Sequence, residues 1–369
     1  MITGFQLGRI KVPLKTPFKT ALRTVYDIDD LVVIIETSEG DIGVGSAPST
    51  PQITGCTHKS STAAIEDYIF PAINGRDPED LSSLTALVQG CVEKNNNAKA
   101  AVEIALYDLW AKRKQLPLYK ALGGNQRELT TCVTISANPT HEMIADIEKA
   151  ITRGFKTVKL KTGNDWHADV VKLRKIQGYV ATLLNKVDII VDANQGWTAE
   201  QTIDMMRECR AMGMKILAIE QPVKHNDIKG LINIRERIDV PLMVDETAFN
   251  LKQVRYLLDN GAADIVNIKL AKASGLSQAI EIAKLASSRM IPCMMGSMLE
   301  GSIAVAAAAH LAAAMPRAFT LVDLDGPSLG EYNPISGGTQ FSNASITLNN
   351  TPGLGITEVP TLKPNILED

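Results

Sequence analysis

Three carboxylates stand at matching places in successive stretches of the chain. Asp192 follows the β-branched run Asp188–Val191, Glu220 follows Ile216–Ile219, and Asp245 follows Leu242–Val244. About one strand-helix unit separates each from the next, so three neighbouring strands would present one acid each to the same face. Converging carboxylates repel one another unless a cation neutralises them. An oxygen-only donor set, with no His or Cys in it, suits Mg²⁺, whose remaining positions go to water or substrate. Any one of these acids alone reads equally well as a solvated group or a helix cap. Three in register, each after an apolar strand, are poorly explained that way.

Lysines complete the pattern. Lys159 and Lys161 alternate along one predicted strand and so point to one face, while Lys269 follows a strand on the other side of the arrangement. A metal facing two opposed lysines is suited to moving a proton on a carbon next to a carboxylate, with the cation stabilising the charge that develops on oxygen. A lysine base must be neutral, so Lys159 and the metal are expected to lower the pKa of the two proton-carrying lysines. Lys272 is expected at the surface, the usual place for lysine.

The elements that must hold these residues alternate regularly. Short β-branched runs at Cys132–Ile135, Thr157–Leu160, Asp188–Val191, Ile216–Ile219, Leu242–Val244, Ile265–Ile268, Cys293–Met295 and Thr320–Val322 are separated mostly by amphipathic helical patterns such as 199–212. Such alternation predicts an α/β chain with a (β/α)₇β TIM-type barrel over residues 126–329. Residues 1–125 differ: Phe5–Val12 and Leu31–Thr37 read as antiparallel strands, and Ala98–Arg113 as a helix. This part is expected to be an α+β capping domain, joined by the C-terminal tail from about residue 330 to 369. Asn95-Asn96-Asn97 reads as a helix-entry loop.

Bulk properties exclude several functions. The chain has 369 residues, a formal net charge of −3 and 45% hydrophobic residues. That balance argues against nucleic acid as a partner. Met1–Lys11 has no apolar signal-peptide core, and the most apolar stretch, Ala304–Met315, is too short to span a bilayer. Cys56, Cys91, Cys132, Cys209 and Cys293 are scattered and odd in number, so they read as small buried hydrophobes in a cytoplasmic protein. His58, His141, His167, His225 and His310 form no ligand cluster, and Trp197 reads as packing.

Taken together, Lys159-x-Lys161, Asp192, Glu220, Asp245 and Lys269 resemble the muconate-lactonising (mandelate racemase/muconate lactonising enzyme) branch of the enolase superfamily. The segments DANQGW (192–197), IEQP (219–222), VDET (244–247), NIKLAK (267–272), AVEIALYDLWAK and LPLYKALGG carry the resemblance over nearly the whole chain. It implies Lys161 as the base for the (R) substrate and Lys269 for the (S) substrate, with Mg²⁺ as cofactor. Asp323-Leu324-Asp325 is similar to the pair that binds the substrate ammonium in dipeptide epimerases, and two carboxylates alternating on one strand face form a strong cation acceptor. Thr20–Tyr26 resembles the first-domain loop of the alanyl-glutamate epimerases, which places Arg23 on the glutamate carboxylate, a pairing suited to guanidinium. Ile53-Thr54-Gly55 resembles the second specificity loop, and Thr134 and Ser297 match substrate contacts. Ser46 departs from the acid found in many relatives.

The resemblance therefore implies epimerisation of L-Ala-L-Glu in murein peptide metabolism, by a homo-oligomer that takes a small dipeptide substrate and binds neither nucleic acid nor membrane. Rivals are an epimerase of other dipeptides, a cycloisomerase or o-succinylbenzoate synthase of the same superfamily, and, from other classes, a metal-free Schiff-base aldolase or a catalytically silent barrel.

Overall fold

Alternating burial along the first fifty residues produces an antiparallel sheet. The computed structural model describes residues 1–20, 23–184 and 186–364. Strands Ile2–Lys19, Thr24–Thr37 and Ile42–Pro48 pair in sequence order, with Leu7 opposite Val33 and Val33 opposite Gly45. The middle strand is apolar on both faces because both are covered. Leu31, Val33 and Ile35 pack on the capping helices, whereas Val32 joins the barrel core. Helix Asn96–Arg113 lies across this sheet and is buried on nearly every side, its alanines permitting close approach. Gly45 fixes that approach: a Cβ there would stand 2.0 Å from Ala101 O.

Eight parallel strands form the barrel in chain order. They are Val133–Ile135, Thr157–Lys161, Asp188–Asp192, Ile216–Glu220, Leu242–Val244, Ile265–Ile268, Cys293–Gly296 and Phe319–Asp323. The last meets the first where Cys132 N donates to Val322 O at 2.9 Å. Inward residues stack in layers, as the two-residue period requires. Ile190, Ala218, Met243, Ile265 and Met294 make an apolar floor. Two residues further along the same strands stand Asp192, Glu220, Asp245 and Asn267, so the polar layer sits on that floor at the C-terminal end.

The tail returns to both parts. Ser345–Thr347 pairs with Glu128–Thr130, Lys363–Pro364 adds to the edge of the capping sheet, and Leu14 bridges to Gly330. Helix Ser302–Ala314 is buried along almost all its length, and among the described helices none is long and apolar enough to cross a membrane.

His310 in that helix is structural. Its Nδ1 accepts from Tyr119 N at 3.0 Å, and burial pushes its pKa down to about 4. A histidine depressed in the folded state contributes stability above its unfolded pKa, and that contribution is lost as pH falls from about 6.5 towards 4. Urea unfolding at pH 7 and pH 4.5 is expected to show wild type losing on the order of 3 kcal/mol more than His310→Gln over this range. Equal losses would show that His310 is not buried neutral.

Candidate active site

The barrel strand ends and the residues just past them bring polar groups to one mouth of the barrel, where a cavity opens; Asp192 and Glu220 are fully buried and do not line it. Lys159 and Lys161 come from the second barrel strand, Asp192 from the third and Glu220 from the fourth. Asp245 immediately follows the fifth, Lys269 the sixth and Ser297 the seventh, while Asp323 ends the eighth. The cavity holds about 610 Å³ of empty space and is lined by both lysines of the second strand, Lys269, Asp245 and Asp323 among others. Asp192 and Glu220 face each other in adjacent ladder positions.

The site's lysines are each paired with carboxylates. Lys159 Nζ is fully buried and lies 3.3 Å from Asp192, 2.7 Å from Glu220 and 2.9 Å from Asp323. Lys161 Nζ donates to Asp192 Oδ2 at 2.6 Å, and Lys269 Nζ to Asp245 Oδ2 at 2.7 Å. The two lysines expected to carry protons come from the opposed second and sixth strands and lean on different carboxylates. Burial alone would raise the Asp192 and Asp245 carboxyls, but the neighbouring lysines outweigh it and hold both below the usual range. Glu220 goes the other way, raised by burial and by Asp192. Burial would lower Lys269, yet Asp245 holds it above the ordinary lysine range. The expected depression of that lysine is therefore absent in this arrangement, because a carboxylate rather than a cation is its nearest charge.

The donor chemistry fits a hard divalent cation. Glu220 Oε2 and Asp245 Oδ1 are buried and form no hydrogen bond, although each lies within ion-pair distance of a lysine. Asn194 Oδ1, Glu246 Oε2 and Asn267 Oδ1 are also buried without a hydrogen-bond partner. Five under-satisfied oxygens at one barrel mouth, with no nitrogen or sulfur ligand among them, are an acceptor-only set of the kind Mg²⁺ takes. As the side chains stand, no three acidic, histidine or cysteine groups among the described residues form a finished metal site. Lysine ammoniums stand between the carboxylates and carry the neutralising charge.

One end of the cavity is acidic. Asp323 accepts from Lys159, from Thr134 Oγ1 at 3.4 Å and from Cys132 Sγ at 3.3 Å. Asp325 accepts from Thr134 N at 2.8 Å, and burial beside Asp323 raises it to about 7. The two do not alternate on one strand as expected: Asp325 lies past the strand and begins the helical turn Gly326–Leu329. Ser297 Oγ donates to Asp323 O at 3.4 Å. Arg23 also lines the cavity, and its guanidinium forms no hydrogen bond or ion pair among the described residues; burial lowers its pKa. Ala21 and Leu22 of the same loop lie outside the described residues. Ile53 lines the cavity as well.

Several expectations need correction. Lys272 is not at the surface. It is 1% exposed, and its Nζ donates to Asp245 O at 2.6 Å and Asn267 O at 2.9 Å. Asn96 and Asn97 lie inside the helix rather than in an entry loop; Asn96 Nδ2 donates to Lys272 O at 2.7 Å and Asn97 Nδ2 to Pro48 O at 2.6 Å. Cys91 is only half-buried, unlike the other four cysteines. Ser46 is fully buried and donates to Asp30 Oδ2 at 3.0 Å, the same oxygen that receives Gly301 N at 2.9 Å. Trp197 is packed, with Nε1 donating to Asp169 at 3.3 Å. Glu246, raised to about 7 by burial and by Asp245, faces the cavity and was not singled out. Nor was Asn267, whose Nδ2 donates to Glu220 at 2.8 Å. Its place two residues before Lys269 on an inward face was the available signal.

Known proteins share this architecture from end to end. Residues 5–123 match the mandelate racemase / muconate lactonizing enzyme N-terminal domain, and residues 142–360 match the enolase C-terminal domain-like family. The L-Ala-D/L-Glu epimerase of Clostridium acetobutylicum is 41% identical over 96% of this chain and 98% of its own. The substrate-liganded L-Ala-D/L-Glu epimerase of Bacillus subtilis superposes with a TM-score of 0.93 at 38% identity, covering 96% of this chain and 98% of the other. The Enterococcus faecalis dipeptide epimerase complexed with Mg and L-Leu-L-Tyr gives 0.92 at 32% identity, covering 97% and 99%. Two family models that together span most of the sequence, and epimerases aligned almost end to end with it, place this chain in the mandelate racemase / muconate lactonizing enzyme family of the enolase superfamily, as an isomerase of the epimerase kind.

Proposed function

We propose that the enzyme epimerises the α-carbon of the second residue of a dipeptide, interconverting L-Ala-L-Glu and L-Ala-D-Glu in cytoplasmic murein peptide metabolism. The observation that carries this reading is the placement of Lys161 and Lys269 on opposed barrel strands. Both face one cavity, which also holds an acidic pair and a half-buried Arg23 whose guanidinium has no hydrogen bond or ion pair among the described residues. One lysine, neutral, takes the α-proton from one face. The opposed ammonium returns a proton to the other face, which inverts the centre. The spent lysines regain their starting protonation by exchange with solvent.

Asp192, Glu220 and Asp245 would hold Mg²⁺, which supplies stabilisation for the negative charge that develops on the carboxylate as the proton leaves. The magnesium and dipeptide in the Enterococcus structure support that assignment. Asp323 and Asp325 would receive the ammonium of the first residue. Asp323 already shares its charge with Lys159, so Asp325 offers the freer acceptor. Arg23 would take the glutamate side-chain carboxylate by a charge-assisted, bidentate pair. Thr134, Lys159 and Ser297 would complete the dipeptide contacts.

Incubation of L-Ala-L-Glu with the protein and Mg²⁺ in D₂O is the direct test. Loss of the glutamate α-proton signal with growth of the L,D diastereomer is expected. Arg23→Met should raise KM for this dipeptide by at least about tenfold, since a charge-assisted pair is lost. An active enzyme that ignores L-Ala-L-Glu, or an Arg23→Met variant with unaltered KM, would remove the glutamate assignment.

A further inference from the structure

The cavity wall beside Asp325 contains two leucines that the proton chemistry and the carboxylate-binding end leave unexplained. Leu299 lies on the loop after the seventh barrel strand, and Leu329 closes the turn after the eighth. Both line the cavity together with Phe18. Behind it, all three pack on Val12, Leu14 and Ile28 of the capping sheet. Polar contacts fix both loops. Gly301 N donates to Asp30 at 2.9 Å and Met298 N to Glu300 at 3.0 Å, one on either side of Leu299. Lys15 Nζ donates to Ser328 O at 2.9 Å, and Glu331 N donates to Pro13 O at 2.9 Å, one on either side of Leu329. The loops also touch each other, since a Cβ on Gly326 would meet Glu300 O at 2.7 Å.

Asp325 is the N-cap of the turn that Leu329 ends, so one helical turn separates acid from leucine and puts them on the same side. In a dipeptide whose ammonium rests on Asp325, the first side chain branches from the carbon that bears the nitrogen. Whatever apolar surface adjoins Asp325 therefore bounds that side chain. Leu299 has a second property: it also lines an outer cavity with Arg23, Tyr26 and Gln52, which holds about 860 Å³ of empty space. Leu299 and Arg23 thus partition the inner cavity from existing room outside it.

We propose that Leu299 and Leu329 form a rigid wall, backed by the capping sheet, that limits the first residue of the dipeptide to an alanine-sized side chain. The proposal rests on the dipeptide reading of the site. It follows that shortening Leu299 opens the inner cavity into the outer one, whereas enlarging Leu329 narrows it further.

The test varies the first residue through Gly, Ala, Val, Leu and Phe while the second is fixed at whichever residue wild type turns over fastest. Wild type is expected to favour Ala over Leu in kcat/KM. Leu299→Ala should reduce that preference by about tenfold, and Leu329→Phe should lower Ala relative to Gly by a similar factor, the discrimination typical of a methylene or two in an apolar pocket. Melting temperatures establish that both variants are folded. Ratios unchanged in both folded variants would overturn the wall. A wrong glutamate assignment would show separately, as another best second residue with the ratios still shifting. A wild type that turns over no dipeptide would overturn this inference together with the reading beneath it.

Discussion

Lys269→Ala is expected to lower epimerisation by about 100- to 10,000-fold, the usual contribution of a positioned acid or base. Its effect on proton exchange should be one-sided. Exchange of the α-proton in D₂O should vanish from the (S), L-configured residue and persist from the (R), D-configured one. Lys161→Ala should give the mirror image. The structural ground for this independence is that the two ammoniums lean on separate carboxylates, Lys161 on Asp192 and Lys269 on Asp245. Removing one leaves the other pair in place. Asp245 also keeps Lys272 at 2.5 Å, so loss of Lys269 does not strand a buried carboxylate without any cation. NMR of each epimer separately reads the asymmetry. If either variant lost exchange from both epimers to the same degree, the two lysines would be acting as one unit and the two-base reading would fail.

The barrel was legible because its strands are short apolar runs with a strict order, and the reading erred mainly at their ends. The strands Thr157–Lys161, Asp188–Asp192, Ile216–Glu220 and Phe319–Asp323 each run one residue past the last apolar position. A hydrophobicity pattern stops where the polar layer begins, but the backbone ladder does not: Lys161 still pairs with Asp192, and Asp192 with Glu220. Lys159, Lys161, Asp192, Glu220 and Asp323 thus sit on rigid strand backbone, while Asp245, Lys269 and Ser297 follow it by one residue. The capping strands were harder. Ile2–Lys19 far exceeds the Phe5–Val12 seen in the sequence. The register shift after Pro13 accommodates the proline without ending the strand.

Residues whose position depends on a distant partner were the ones the sequence hid. Lys272 looks like any lysine on a helical turn until Asp245 and Asn267 are brought beneath it by neighbouring strands. Asn96 looks like loop punctuation until the capping helix crosses the segment after the sixth strand and binds Lys272 O. Asp30 gave no sign that it would anchor Gly301 across the domain boundary. Periodicity reports which face a residue occupies and says nothing of what the fold sets against that face.

Chelation should abolish the reaction. In EDTA-treated enzyme, exchange at the α-carbon is expected to fall by about 1,000-fold or more, the scale of losing an electrostatic stabiliser of developing charge, and to return on addition of Mg²⁺. A second readout does not depend on catalysis. Mg²⁺ at about 100 times its dissociation constant should stabilise the fold by about 2.7 kcal/mol and raise the melting temperature by several degrees. Glu220→Gln keeps the size of the side chain and its neighbours Lys159 and Asn267 but removes the charge, and should lose both the rescue and the thermal shift. The size of the effect follows from the present charge pairing. Asp245 holds Lys269 protonated, and a protonated lysine cannot accept an α-proton. Were Asp245 engaged by a divalent cation instead, Lys269 would lose the partner that keeps it charged, and the added positive charge would disfavour its ammonium form. Full activity in EDTA, or an equal thermal shift in Glu220→Gln, would show that these carboxylates do not hold the metal, and the paired lysines would then need another route to their neutral form.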